Sequence, residues 1–82
     1  VESINLYPIP ASDLINIDLE ILGTKNLVVT LRDTAGRIIS IDNWVNVSSG
    51  IQNLDISSCR AGHYNLTISD GKSKTITQVI IQ

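Results

Sequence analysis

Cys59 and His63 are the residues of this sequence whose types suit nucleophilic catalysis. A cysteine thiol becomes a strong nucleophile when a neighbouring imidazole accepts its proton. The two residues lie four positions apart, on either side of Gly62, and that spacing does not force the thiol towards the imidazole. We therefore interpret Cys59 as a buried, unreactive apolar residue and His63 as a residue that faces solvent.

Asp18 and Glu20 are the paired carboxylates to be weighed for acid–base chemistry. On one face of a strand they would lie about 7 Å apart, which overlaps the carboxylate spacing of glycosidases. A flat, exposed strand offers no cleft around them, so we interpret both as part of a solvated face. His63 alone makes no metal site, and the sequence contains no glycine-rich phosphate loop. Neither a catalytic residue nor a cofactor is predicted.

Trp44 is the single tryptophan of the chain and has two interpretations. An exposed indole could stack on a sugar ring, as in carbohydrate-binding sandwiches. A half-buried indole could instead close the end of a thin hydrophobic core, because it buries much apolar area in a chain without Phe. We favour the second interpretation and keep a sugar contact at Trp44 as the alternative.

The composition points to one small β domain spanning residues 1–82. The chain has fourteen Ile and six Val but no Phe and no Met, and β-branched side chains favour strands over helices. A net charge of −2 with mixed signs argues against a nucleic-acid surface, and a single cysteine excludes an internal disulfide. Because the chain begins at Val1 without Met, we expect it to be a piece of a longer precursor.

Alternation of apolar and polar residues predicts about seven short strands. The clearest is residues 14–21, where every second residue is Ile or Leu. The other predicted strands are residues 4–7, 26–33, 37–43, 52–57, 62–70 and 74–82. Residues 42–50, around Trp44, are predicted as a loop or short irregular strand. This pattern is typical of an all-β fold, an immunoglobulin-like antiparallel β-sandwich.

The inward face of the later strands follows from the same alternation. It consists of Leu54, Ile56, Tyr64, Leu66 and Ile68, and in the last strand we assign Ile76, Val79, Ile80 and Ile81 to the core. The stretch "LYPIPASD" contains both prolines of the chain. Proline has no N–H to donate, so this stretch is predicted to be a stiff, extended entry whose edge resists pairing with other chains.

Four stretches, taken together and in order, resemble one family. They are "LYPIPASDLINIDL", "VTLRDTAGRII", "LDISSCRAGHYNLTISDG" and "KSKTITQVIIQ". The chain resembles the type A C-terminal sorting domain of the type IX secretion system of certain Gram-negative bacteria. The residues that match its motifs are Tyr7, Pro8, Pro10, Ala11, Ser12 and Asp13, then Asp33, Gly36 and Arg37, then Gly62 and Tyr64, with Lys72 and Lys74 near the last strand. Ile9, Cys59 and Gln78 depart from the residues usual in the family.

The resemblance implies a folded secretion signal with no catalytic activity. A cargo protein would lie N-terminal to the domain, and the precursor would pass through the periplasm to the outer-membrane translocon. A sortase-like peptidase would then usually remove the domain, cutting near or before Val1, and leave the cargo at the cell surface or outside the cell. The alternatives are a carbohydrate-binding or adhesion module and a structural spacer beside an enzyme.

Overall fold

Seven β-strands make up the regular structure of residues 2–82. The structure is a computed structural model and describes residues 2–82. The strands are β1 (Ser3–Tyr7), β2 (Leu14–Glu20), β3 (Lys25–Asp33), β4 (Ile38–Val47), β5 (Gly50–Asp55), β6 (Gly62–Ser69) and β7 (Lys74–Ile81). Nowhere in residues 2–82 is there a helix that could cross a membrane.

The strands form two antiparallel sheets that pack face to face. One sheet has the order β1-β2-β5 and the other has the order β4-β3-β6-β7. Placing β3, β6 and β7 in one sheet and β1, β2 and β5 in the other is the immunoglobulin-like arrangement, with β4 added at the edge beside β3. The predicted all-β sandwich is confirmed.

The core lies between the inner faces of the two sheets, as the alternation predicts. On β2, Ile15, Ile17 and Leu19 are at most 2% exposed. They face an inner row on β3 and β6 that is also almost fully buried and consists of Leu27, Val29, Leu31, Leu66 and Ile68. Leu54, Ile56 and Tyr64 are buried as predicted. Each fully buried aliphatic side chain of this kind stabilises the fold by about 1.5–3 kcal/mol.

Strand β4 is longer than the sequence predicts. Residues 42–50 were expected to form a loop or short irregular strand, but β4 continues through Trp44 to Val47. The cause is pairing with β3, in which Trp44 lies opposite Leu27 and Asn43 lies opposite Val28. Ladder hydrogen bonds to a central strand outweigh the weak strand propensity of Ser and Asn. The connection to β5 is therefore only the short stretch 48–49.

The last strand differs from the prediction in which side chains it buries. Val79 and Ile81 are at most 2% exposed, whereas Ile76 is 62% exposed and Ile80 is half-buried. Val79 lies opposite Tyr64, so the inward positions of β7 are the odd-numbered ones. The assignment of Ile76 and Ile80 to the core was wrong because both are even-numbered and lie on the outer face of β7. The run Val79–Ile81 is apolar at every position, so the sequence does not show which of its side chains turn inward.

Candidate recognition surface

The proline-containing stretch carries the chain from one sheet to the other. Strand β1 pairs with β2 up to Tyr7, and residues 8–10 then leave that ladder. At Ala11 the chain joins the opposite sheet through a parallel bridge with β7. The Ala11 N–H donates to the Ile80 carbonyl at 2.8 Å, and the Gln82 N–H donates to the Ala11 carbonyl at 2.7 Å. The first motif is therefore tied to the last strand.

Ala11, Ser12 and Asp13 connect this bridge to the start of β2. Ala11 is buried at 1% exposure, whereas the side chains of Ser12 and Asp13 are exposed. The Asp13 carbonyl accepts a hydrogen bond from the Ile56 N–H at 2.9 Å, which extends the β2–β5 ladder by one step. Only the small Ala side chain of this stretch enters the core, and its two polar side chains remain available on the surface.

Asp33 builds the tight connection between β3 and β4. Its Oδ1 accepts hydrogen bonds from the backbone N–H groups of Ala35 at 3.0 Å and Arg37 at 2.9 Å, and its Oδ2 accepts one from Arg37 Nε at 3.1 Å. Gly36 has a φ of 87°, a region that favours glycine. The backbone hydrogen bond from Arg37 lowers the pKa of Asp33, and the charge of Arg37 lowers it further. The side chain of Arg37 is 78% exposed.

Tyr64 anchors the loop between β5 and β6. Its ring is buried at 7% exposure, and its hydroxyl donates a hydrogen bond to the Arg60 carbonyl at 2.7 Å. A tyrosine near the start of the sixth strand that bonds back to the chain just upstream is a tyrosine corner, a known stabilising feature of immunoglobulin-like sandwiches. Gly62, at the first position of β6, has a φ of 156°. The third matched motif therefore holds the loop 56–61 against the end of the core.

Strand pairing places these motifs at one end of the sandwich. Gly62 and Ala11 both pair with Ile81, and Asp33 pairs with Tyr64. The proline-containing stretch, the β3–β4 turn and the start of β6 are thus neighbours, although they lie far apart in the sequence. We call this set, residues 7–13, 33–37 and 60–64, the motif end.

Lys72 and Lys74 lie at the opposite end of the sandwich, in the β6–β7 hairpin. Asp70 organises this hairpin, because its Oδ1 accepts hydrogen bonds from the backbone N–H groups of Ser73 at 2.8 Å and Lys72 at 2.9 Å. These bonds, with the charge of Lys25 3.6 Å away, hold the pKa of Asp70 well below its usual range. Both Lys72 and Lys74 are exposed. The structure does not bring them together with the other matched residues.

A pocket of about 340 Å³ opens at the motif end, and we call it the end pocket. Its lining residues are Arg37, Ile39, Ser58, Cys59, Arg60 and Tyr64. The sequence analysis singled out Arg37, Cys59 and Tyr64, but it did not identify Ser58 or Arg60. A second arginine in the turn that precedes the Gly62–Tyr64 motif is the signal that could have identified them.

Cys59 and His63 lie in different surroundings. Cys59 is half-buried and packs against the core, so the prediction of a buried residue was too strong. The shallow position follows from its place in the loop, where its N–H donates to the Ile56 carbonyl at 2.9 Å. Burial raises the pKa of the Cys59 thiol, and the charge of Asp55 raises it further. His63 is exposed, as predicted.

Asp18 and Glu20 are exposed on the outer face of β2, as predicted, but their surroundings are not flat. They line an open depression of about 540 Å³ together with residues of β1 and with Ser49 and Gly50. Ser49 of the β4–β5 connection borders this depression, and its Oγ accepts a hydrogen bond from the Ile21 N–H at 2.8 Å. The depression is open and leaves both carboxylates exposed, as expected of a solvated face. Among residues 2–82, no three metal-ligating side chains lie close enough together to hold an ion.

Trp44 is half-buried and packs against the core from β4. Its pairing partner, Leu27, is 1% exposed and belongs to the inner face of the sheet. The indole therefore lies on the inward side of an edge strand, where it covers the core. This position agrees with the favoured interpretation of Trp44.

Comparison with known proteins identifies the family. The model of the family described as "Secretion system C-terminal sorting domain" matches residues 5–82. Beta-agarase D of Zobellia galactanivorans is 28% identical to this chain, and the alignment covers 98% of this chain but only 15% of the agarase. The chain thus corresponds to a small part of that relative. The match over nearly the whole chain shows that the chain belongs to the C-terminal sorting domain family of the type IX secretion system.

Proposed function

We propose that the domain carries a cargo protein from the periplasm through the outer-membrane translocon of a type IX system, and that the motif end is the part that the machinery reads. The observation that carries this proposal is the family match over residues 5–82. The clustering of three separate matched motifs at one end of the sandwich supports the choice of surface.

The hydrogen bonds at Ala11 indicate why such a secretion signal would be recognised only in the folded state. The first motif is connected to the last strand by two backbone hydrogen bonds of 2.8 and 2.7 Å. Loss of β7 would therefore release the proline-containing stretch as well as expose the core. A receptor that contacts residues from all three motifs would bind the folded domain and ignore an unfolded or truncated one.

The domain serves in this proposal as a signal and as a substrate of processing. After translocation, a sortase-like peptidase would remove it from the cargo. The expected cut, near or before Val1, lies outside the described residues. The cargo would then remain at the cell surface or leave the cell, and the catalytic work of the mature protein would belong to the cargo.

A fusion experiment tests the proposal. An unrelated periplasmic reporter is joined N-terminal to residues 1–82 and expressed in a bacterium with a type IX system. We expect the reporter outside the cell or on its surface, and we expect deletion of residues 74–82 to leave it in the periplasm. That deletion also removes the buried side chains of Val79 and Ile81, so circular dichroism of the purified truncated domain is needed to separate unfolding from lost recognition.

Replacing Lys72 and Lys74 with Gln tests which end of the sandwich the export machinery recognises. Both lysines are exposed, so the double variant should remain folded. If the motif end carries the address, export should persist in this variant. A folded double variant that stays in the periplasm would move the recognition surface to the β6–β7 hairpin, and export of the fusion without β7 would contradict the proposed function itself.

A further inference from the structure

The end pocket is lined by two arginines and by apolar side chains. Arg37 reaches it from the β3–β4 turn and Arg60 from the β5–β6 loop, while Ile39 and the Tyr64 ring provide apolar surface. Ser58 adds a hydroxyl group that can donate a hydrogen bond. A volume of about 340 Å³ is at the lower end of the range of ligand pockets and fits one or two side chains.

Both arginines are attached to rigid backbone. The loop that carries Arg60 is held by the hydrogen bond from the Tyr64 hydroxyl to the Arg60 carbonyl at 2.7 Å. The turn that carries Arg37 is held by three hydrogen bonds to the Asp33 carboxylate. A pair of cations presented on a pre-ordered frame loses less conformational freedom on binding than a pair on mobile loops.

The arginines are available to an anion. Arg37 Nε lies 3.1 Å from an oxygen of the Asp33 carboxylate, and the Arg37 side chain nevertheless remains 78% exposed. The Arg60 side chain is exposed as well. Guanidinium groups present a planar fork of donors that matches a carboxylate in two parallel hydrogen bonds.

The surroundings favour a carboxylate over a phosphate. Two carboxylates reduce the net positive charge of the pocket: Asp33 lies beside Arg37, and Asp55 is close enough to Cys59 for its charge to raise the pKa of that thiol. This reduction lowers the attraction for a dianion more than for a monoanion. The apolar surface of Ile39 and Tyr64 would contact an aliphatic side chain next to an acidic one, but it offers nothing to a bare phosphate. An acidic segment that also carries an apolar residue satisfies both parts of the pocket.

We propose that the end pocket binds a carboxylate side chain of an acidic segment on the protein that receives this domain during export. The proposal rests on the proposed function, because it names the chemistry of the partner that reads the motif end. Arg37 and Arg60 are the residues that contact that partner. The β3–β4 turn and the tyrosine corner position these two arginines.

The first test uses the reporter fusion with Arg37 and Arg60 both replaced by Gln. We expect the exported fraction to fall about tenfold or more, because a carboxylate that loses its charged partners in a contact is left unpaired. The matched control replaces the exposed Lys72 and Lys74 with Gln, which removes the same charge at the opposite end of the sandwich and should leave export within about twofold. Replacement of both pocket arginines with Lys should recover export only in part, since Lys keeps the charge but loses the planar fork.

Thermal unfolding of each purified variant shows whether it is folded. Loss of export in a folded Arg37→Gln, Arg60→Gln variant supports the proposal. Normal export of that variant, beside normal export of the unchanged fusion, overturns the pocket while leaving the proposed function intact. If the unchanged fusion itself stays in the periplasm, the proposed function and this inference both fail.

A binding measurement tests the ligand chemistry directly. The peptide N-acetyl-Leu-Glu-amide is titrated into the isotope-labelled 82-residue chain, with N-acetyl-Leu-Gln-amide and inorganic phosphate as separate probes. We expect saturable shifts of the backbone amide signals of Arg37, Cys59 and Arg60 with the Glu peptide alone. Equal shifts with phosphate, or no shift with any probe at millimolar concentration, would overturn the carboxylate assignment. Self-association of the chain that is lost in the double Gln variant would also overturn it, because the occupant would then be a second copy.

Discussion

Replacing Tyr64 with Phe isolates the energy of the tyrosine corner. The variant keeps the buried ring but removes the hydroxyl that donates to the Arg60 carbonyl at 2.7 Å. A net contribution of about 0.5–1.5 kcal/mol is typical of such a bond, and leaving a partly buried acceptor unpaired adds to the cost. We expect a loss of about 1–2 kcal/mol in the free energy of unfolding. Replacement by Ala also deletes a ring that is 7% exposed, and that change should cost about 3–5 kcal/mol.

Thermal and urea unfolding followed by circular dichroism measure both losses. In a domain of this size a loss of 1 kcal/mol lowers the melting temperature by about 4–8 °C. His63→Ala is the matched control, since the neighbouring imidazole is exposed and its removal should cost less than about 0.5 kcal/mol. A Tyr64→Phe variant as stable as the parent protein would show that the hydrogen bond to Arg60 does not hold the loop. Equal losses for His63→Ala and Tyr64→Ala would refute the inward face assigned to β6.

Three further predictions follow from burial and charge. Val79→Ala should lower the free energy of unfolding in urea by about 1.5–3 kcal/mol, because this side chain is fully buried. Ile76→Ala should lower it by less than about 0.5 kcal/mol, because Ile76 is 62% exposed. Similar losses for the two variants would contradict the orientation of β7. Cys59 should react slowly with a thiol reagent at pH 7, since burial raises the pKa of its thiol, and fast stoichiometric labelling would contradict this. Folding lowers the pKa values of Asp33 and Asp70. The stability that these carboxylates add is therefore present above about pH 4 and is lost as the pH falls through their lowered pKa values. The variant with both residues replaced by Asn should show a weaker decline of the urea midpoint between about pH 5 and pH 2 than the parent protein.

The fold was predictable because most strands bury one face. Ile15, Ile17 and Leu19 alternate with polar residues, and a one-residue slip would move the whole set into solvent. The prediction failed where the alternation is absent or masked. Residues 44–47 join β4 through pairing with β3, which no local pattern records, and the continuous apolar run at the end of β7 does not reveal which side chains turn inward.

The candidate surface was predictable only as separate motifs. The sequence marks the β3–β4 turn through Asp33 and Gly36, since these residue types make the turn by their own hydrogen bonding and positive φ. It does not indicate that this turn meets the β5–β6 loop, because that contact depends on the order of strands in the sheet. The end pocket and the role of Arg60 in it therefore required the three-dimensional structure. The same holds for the bridge from Ala11 to β7.

Export of the reporter fusion in two otherwise identical strains tests the central claim most directly. One strain has a working type IX system, and the other lacks its outer-membrane translocon. We predict that the reporter fused to residues 1–82 reaches the cell surface or the medium in the first strain and accumulates in the periplasm in the second. Equal distribution of the reporter in the two strains would contradict the account that this domain is a type IX export signal.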